Sequence, residues 1–141
     1  MKNFSILLAS LTILTLSATA FASTEVVKPN QPVFDYPESI SQFASSCEVW
    51  IDEDHYHFSL KLDEQETEFP KVNDTKIVGP FKIWFKQSNT VDRDSGLKII
   101  HSDTYVFDLN DKLLTRLKSD VFPNYGFSLT VPEFTMSCSV P

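Results

Sequence analysis

The 141-residue chain carries twelve basic and nineteen acidic residues, which gives a net charge of −7 with neutral histidines. This acidic balance, with no run of lysine or arginine, argues against binding to nucleic acid phosphates or to anionic membranes. The length and the 42% hydrophobic content suit one domain with a core of its own.

The first 22 residues have the features of a secretory signal peptide. Lys2 supplies a positive charge, residues 4–16 are apolar, and Ala20-Phe21-Ala22 forms an A-x-A cleavage signal. The apolar segment is shorter than the roughly 20 residues of a membrane-spanning helix, and no second such segment follows. We therefore predict a secreted or periplasmic protein with no membrane span in the mature chain. Cleavage removes one basic residue and no acidic one, so the net charge becomes −8.

Residues 23–46 are predicted to form an extended N-terminal arm. Pro29, Pro32 and Pro37 lie in this segment, and proline is excluded from helix interiors and from central strands. The arm has room for one edge strand around Val33 and for one helical turn that begins at Pro37. A single β domain is predicted to follow over residues 47–141.

Alternation of apolar and polar residues predicts β-strands along this domain. The segment HYHFSLKL alternates over eight residues, which is typical of a half-buried strand. The alternating sets, each on one face of its segment, are Val49 and Ile51; Tyr56, Phe58, Leu60 and Leu62; Phe81, Ile83 and Phe85; Tyr105, Phe107 and Leu109; and Phe127, Leu129 and Val131, followed by Phe134, Met136 and Cys138.

Three segments interrupt this pattern. Residues 63–75, DEQETEFPKVNDT, are predicted to form an acidic loop, and Gly79-Pro80 is predicted to bend the strand region KIVGPFKIWFKQ. Residues 110–120, NDKLLTRLKSD, fit either a short amphipathic helix or a strand. Short strands, turn clusters and the lack of long helical windows favour an all-β fold. We expect an antiparallel β-sandwich or small barrel with at most one short helix.

Cys47 and Cys138 are the only two cysteines, and an even pair in an exported chain predicts a disulfide bond. The bond would clamp the first strong strand to the last. Because the two positions lie 91 residues apart, the chain-entropy account gives a stabilisation of roughly 4–5 kcal/mol. The alternative is a free pair with a redox or metal-binding role, although neither cysteine belongs to a C-x-x-C motif.

Four side chains are candidate ligands for zinc or copper. His55 and His57 stand two residues apart on a predicted strand, so their rings lie on one side, roughly 6–7 Å apart. His101, with Asp103 two residues later, could complete the set. The competing interpretation is that the first two histidines occupy the polar face of an amphipathic strand, where any polar residue would serve. Nothing in the sequence places His101 beside them.

Trp50 and Trp84 are candidates for a binding surface. Both alternate with predicted core residues and therefore lie on the opposite face of their strands. Lys82 and Lys86 flank the second tryptophan on that face. An exposed tryptophan can stack on a sugar or anchor a protein partner. The alternative is that the arm or the second sheet covers this face, which would make Trp84 part of the core.

The sequence contains no G-x-S-x-G or H-E-x-x-H motif and no glycine-rich phosphate loop, so no enzyme is predicted. We expect an exported, non-enzymatic binding protein that recognises a protein or a carbohydrate through an aromatic or acidic surface. The alternative function is metal binding outside the cytoplasm through His55 and His57.

Overall fold

The computed structural model describes residues 24–31, 45–63 and 71–140, and within these ranges the chain is all-β without a helix. Alternating burial along the segments Asp54–Ser59, Phe81–Val91 and Phe134–Ser139 shows that each has one face toward the core and one face away from it. The ten strands are β1 (Glu25–Val27), β2 (Ser46–Ile51), β3 (Asp54–Ser59), β4 (Leu62–Asp63), β5 (Lys71–Val78), β6 (Phe81–Val91), β7 (Lys98–Asp108), β8 (Leu113–Val121), β9 (Gly126–Val131) and β10 (Phe134–Ser139).

The strands form two packed sheets. Sheet A has the order β1-β5-β6-β7-β8, with β4 also paired to β5, and sheet B has the order β3-β2-β10-β9. Every described pair is antiparallel except β1 with β5, which is parallel. The prediction of a β-sandwich is therefore confirmed, and the sheets remain open and do not close into a barrel.

The core lies between the sheets and is rich in phenylalanine. Phe58 of sheet B contacts Phe85 of sheet A, with ring centroids 5.8 Å apart, and Phe81 contacts Phe134 at 4.9 Å. The predicted inward faces of β2, β3, β6 and β10 are confirmed, because their apolar residues are buried. Such ring pairs add about 0.5–1.5 kcal/mol each beyond the area they bury.

The aromatic residues of β7 share a face as predicted, but it is the outer face of sheet A. Tyr105 and Phe107 are only half-buried, whereas Thr104 and Val106 are completely buried between the sheets. Both parities of β7 carry apolar residues, so periodicity alone does not identify its inward face.

The segment KIVGPFKIWFKQ is a hairpin, which corrects the prediction of one bent strand. Gly79 and Pro80 form a two-residue turn between the paired residues Val78 and Phe81. Gly79 has a φ of +55°, which glycine adopts without steric cost and which tight hairpin turns require.

Two further segments, residues 71–75 and 110–120, also form strands. Residues 71–75, predicted to be loop, belong to β5, because their apolar member Val72 is buried next to β6. The ambiguous segment 110–120 contributes β8 and not a helix. Its pairing with β7 supplies the backbone hydrogen bonds that a short isolated helix would have to make internally.

The predicted disulfide between Cys47 and Cys138 is present. The two cysteines lie directly opposite each other on β2 and β10, so the bond joins neighbouring strands of sheet B. It therefore clamps the hairpin β2–β3 to the hairpin β9–β10 within one sheet, and does not link the two sheets.

The N-terminal arm contributes to both sheets. Its strand β1 pairs with β5 of sheet A, and Asn30 reaches β3 of sheet B. There the Asn30 backbone N–H donates to the His55 carbonyl at 2.7 Å, and the His55 N–H donates to Asn30 Oδ1 at 3.2 Å. The predicted signal peptide, the edge strand at Val33 and the turn at Pro37 lie outside the described residues. Within the described part of the chain, no helix is long and apolar enough to cross a bilayer.

A buried lysine ties the arm to sheet A. Lys76 is 1% exposed, and its Nζ lies 2.6 Å from Glu25 Oε2 and 3.0 Å from Asp74 Oδ2. The hydrogen bond from Lys76 holds the pKa of the Glu25 carboxyl below its ordinary value. Asp74 also accepts the Lys61 backbone N–H at 2.7 Å. The arm thus supplies one of the two carboxylates that neutralise a charge inside the fold.

Candidate functional site

The outer face of sheet A carries ordered rows of side chains across strands β5 to β8. The strand register places residues from four strands side by side, and cross-strand neighbours on one face contact each other. The first row, here called the aromatic row, contains Thr75, Trp84, Tyr105 and Arg116. The next row contains Asn73, Lys86, Asp103 and Lys118, and beyond it lie Ser88, His101 and Asp120.

The aromatic row is a stacked arrangement held in place by polar contacts. The rings of Trp84 and Tyr105 stack with centroids 5.1 Å apart, and the Trp84 indole N–H donates to Asn73 Oδ1 at 2.7 Å. Lys86 Nζ lies 4.9 Å from the Trp84 ring, and the Arg116 guanidinium lies 4.6 Å from the Tyr105 ring. Cation–π attraction of this kind fixes the rings and the cations relative to each other.

Asp103 connects the aromatic row to the polar row beside it. Arg116 donates to this carboxylate from Nε at 2.7 Å and also from Nη2, and the Tyr105 hydroxyl donates to Oδ2 at 3.0 Å. The hydrogen bond from Arg116 lowers the pKa of Asp103 and raises that of Arg116. Burial, followed by the hydrogen bond to Asp103, raises the pKa of Tyr105. Asp103 is therefore an ionised carboxylate with its own cation.

A pocket of about 730 Å³ opens beside the aromatic row, over the polar rows. Most of the residues that line it are polar, and they include charges of both signs. The side chains of the outer face that line it are Lys71, Asn73, Lys86, Ser88, His101, Asp103, Lys118 and Asp120.

His101 is held by its neighbours on β6 and β8. Its Nδ1 lies 2.6 Å from Asp120 Oδ1, and its Nε2 lies 2.7 Å from Thr90 Oγ1. The order hydroxyl, imidazole, carboxylate is that of a hydrolytic triad. However, 72% of the Asp120 side chain is exposed, whereas the orienting carboxylate of such a triad is buried. We therefore assign these contacts to shaping the wall of the pocket.

Three of the four predicted binding residues share this face. Trp84, Lys82 and Lys86 all lie on the outer face of β6, and Trp84 is half-buried among its neighbours without entering the core. Trp50 lies on sheet B instead, where it stacks on His55 with ring centroids 5.0 Å apart and is 39% exposed. The two tryptophans therefore belong to different surfaces of the sandwich.

The predicted metal ligands are divided between the two sheets. His55 and His57 lie on β3 of sheet B, whereas His101 and Asp103 lie on β7 of sheet A. The Nε2 atom of His55 is buried beside Trp50, and no group of three His, Cys, Asp or Glu side chains suited to a metal ion occurs among residues 24–31, 45–63 and 71–140. The structure thus places His101 and Asp103 on a different sheet from His55 and His57, and metal binding stays a prediction from the sequence.

Sequence reasoning missed five of the eight outer-face residues that line the pocket. Lys71 and Asn73 belong to a segment predicted as loop, and Lys118 and Asp120 belong to a segment left ambiguous. The fifth missed residue is Ser88, and Tyr105 and Arg116 of the adjacent aromatic row were also not predicted. Treating β5 to β8 as consecutive hairpins would have found them. In an antiparallel meander the outward-facing residues of neighbouring strands lie side by side.

Comparisons with protein-family models, with curated proteins and with solved structures gave no significant match. The aromatic row and the adjoining pocket provide the basis for a functional proposal.

Proposed function

We propose that the protein is an exported, non-enzymatic binding module that takes a carbohydrate into the pocket on sheet A. The observation that carries this proposal is the stacked pair Trp84 and Tyr105, one row away from Lys86 and Asp103, which line a pocket of about 730 Å³. That volume falls in the range of roughly 300–1,000 Å³ typical of small-molecule sites.

The chemistry of the lining favours a carbohydrate over a protein partner. A sugar offers C–H faces for aromatic rings and hydroxyl groups for hydrogen bonds. Asn73, Ser88 and Asp103 supply hydrogen-bond donors and acceptors beside the aromatic row. The centre of a protein–protein interface, in contrast, is depleted of charged residues.

The state of the pocket carboxylates supports binding without catalysis. A glycoside hydrolase needs two carboxyl groups, one of them with a raised pKa so that it can donate a proton. Asp103 has a lowered pKa and is occupied by Arg116, and Asp120 is bound to His101. The contacts among Thr90, His101 and Asp120 are likewise proposed to shape the pocket wall and not to hydrolyse esters. Hydrolysis of p-nitrophenyl acetate that is abolished by Thr90→Val would contradict this part of the proposal.

Export is proposed from the predicted signal peptide together with the disulfide. Disulfide bonds form and persist outside the reducing cytoplasm, and the bond between Cys47 and Cys138 is compatible with a periplasmic or extracellular location.

The two tryptophans provide a matched test of the site. The mature protein is screened on an array of neutral and acidic oligosaccharides, and the best binder is titrated by calorimetry into wild type, Trp84→Ala and Trp50→Ala. We expect Trp84→Ala to weaken binding about fivefold, since one aromatic stack is worth about 1 kcal/mol. Trp50→Ala should bind as wild type, because Trp50 lies on the other sheet.

Circular dichroism melting of both variants verifies that they fold. Loss of binding in Trp50→Ala with retention in Trp84→Ala would place the site on sheet B and reject the proposal. Failure of every oligosaccharide to bind wild type would reject carbohydrate recognition itself.

A further inference from the structure

We infer that the ligand of the pocket is anionic, a saccharide that carries carboxylate or sulfate groups; this inference rests on the proposed carbohydrate-binding function. Three lysines, Lys71, Lys86 and Lys118, line the pocket. Among the described residues, none of the three lies within 4.0 Å of a carboxylate oxygen in an ion pair.

The carboxylates of the pocket offset these lysines only in part. Asp103 binds Arg116 through two hydrogen bonds, and Lys118 acts on it only through its charge. Asp120 is in contact with His101 at 2.6 Å. Arg116 balances Asp103, and Asp120 balances at most one of the three lysines, so the described residues of the pocket keep an excess of positive charge.

This excess contrasts with the composition of the chain. The outer face of β5 to β8 carries five basic side chains and two acidic ones, although acids outnumber bases by nineteen to twelve in the whole sequence. The five basic residues are Lys71, Lys82, Lys86, Arg116 and Lys118. A positive pocket within an acidic protein attracts anions while the remaining surface repels them, which favours entry at this site.

The positions of the lysines suit a charged sugar. Lys86 is held over the Trp84 ring, so a sugar that stacks beside the aromatic row meets an ammonium group at its edge. Lys71 and Lys118 come from β5 and β8, on the two sides of β6 and β7. Anionic groups at several points of an oligosaccharide can therefore be paired at once, and ammonium binds carboxylate and sulfate oxygens as a compact charge.

Calorimetric titrations with three tetrasaccharides test the inference. A heparin-derived tetrasaccharide carries sulfates and carboxylates, tetragalacturonate carries carboxylates alone, and maltotetraose is neutral. We expect at least one anionic probe to bind ten or more times as tightly as the neutral one at 50 mM NaCl. The preference should weaken at 300 mM NaCl, because added salt screens exposed charges.

Lysine variants locate the effect. Lys86→Ala and Lys118→Ala should each weaken the binding of the preferred anionic probe roughly two- to fivefold, the range for exposed charge pairs. Lys112→Ala is the matched control, since this exposed lysine lies in the turn between β7 and β8 and does not line the pocket. It should bind as wild type.

The outcomes separate this inference from the proposed function. Equal binding of neutral and anionic probes, insensitive to salt, would overturn the anionic ligand and leave carbohydrate binding intact. An effect of Lys112→Ala as large as that of the pocket variants would show diffuse attraction and would also overturn it. If none of the three probes nor any array oligosaccharide binds, both proposals fail.

Discussion

Lys76 is the residue whose environment differs most from that of an ordinary lysine. Its side chain is buried, and its charge is balanced by Glu25 and Asp74 at 2.6 and 3.0 Å. Lys76→Met would leave the buried Asp74 carboxylate without its cation. We expect a loss of about 3 kcal/mol in the free energy of unfolding, the scale found when one partner of a buried pair is removed. Urea denaturation measures this loss.

Lys61 supplies the control for this prediction. Its Nζ lies 3.5 Å from the same Glu25 oxygen, but its side chain is 63% exposed. Lys61→Met should therefore change the free energy of unfolding by no more than about 0.5 kcal/mol. Equal losses in the two variants would show that burial of the pair does not determine its contribution.

Glu25 gives the fold a predictable sensitivity to acid. The hydrogen bond from Lys76 lowers its folded-state pKa below the ordinary value of 4.5. Its contribution to stability is therefore complete above pH 4.5 and is lost as the pH falls through the lower, folded-state value. We expect Glu25→Gln to be less stable than wild type at pH 6 and the difference to shrink toward pH 3, as measured by urea denaturation at both pH values.

Glu53→Gln, in the exposed turn between β2 and β3, is the control for the acid dependence. Its stability should follow that of wild type at both pH values. A difference between Glu25→Gln and wild type that grows on acidification would contradict the assigned direction of the pKa change.

At the level of strands, the sequence was most informative where only one parity is apolar. The buried face of β3 was predicted correctly because Tyr56 and Phe58 alternate with polar residues, so a single face can be buried. In β7 both faces carry apolar residues, and stacking on Trp84 gives Tyr105 a place outside the core that alternation alone does not reveal. The strand predicted in place of β5 began too late, at Lys76. The polar residues Lys71 and Asn73 were read as loop, although they lie on the solvent-facing side of the strand.

The disulfide determines how firmly the two hairpins of sheet B are held together. It joins β2 to β10 and closes a sequence separation of 91 residues. We expect the double variant Cys47→Ala/Cys138→Ala to lose about 2–5 kcal/mol in the free energy of unfolding, mainly because its unfolded chain is less restricted. Guanidinium denaturation of the variant and of oxidised wild type measures the difference. An unchanged denaturation midpoint would show that β2 and β10 need no covalent link.

For the whole molecule, the sequence was sufficient for the fold class and the disulfide but not for the site. Composition, alternation and two cysteines define a disulfide-linked β-sandwich. The pocket, in contrast, depends on the register of β5 to β8, which places Asn73, Lys86, Asp103 and Lys118 in one row. Register depends on turns and on long-range pairing, so residues far apart in the sequence meet without a local motif.

Two-dimensional ¹H–¹⁵N NMR of the two indole N–H groups tests the central claim most directly. The chain has two tryptophans, one beside the pocket and one on sheet B, so Trp84→Phe and Trp50→Phe assign the two signals. The oligosaccharides are heparin-derived tetrasaccharide, tetragalacturonate and maltotetraose, added in turn. We predict that a binding oligosaccharide shifts the Trp84 signal, whose N–H is bonded to Asn73, and leaves the Trp50 signal in place. A shift confined to Trp50, or no shift with any of the three, would contradict a carbohydrate site on sheet A.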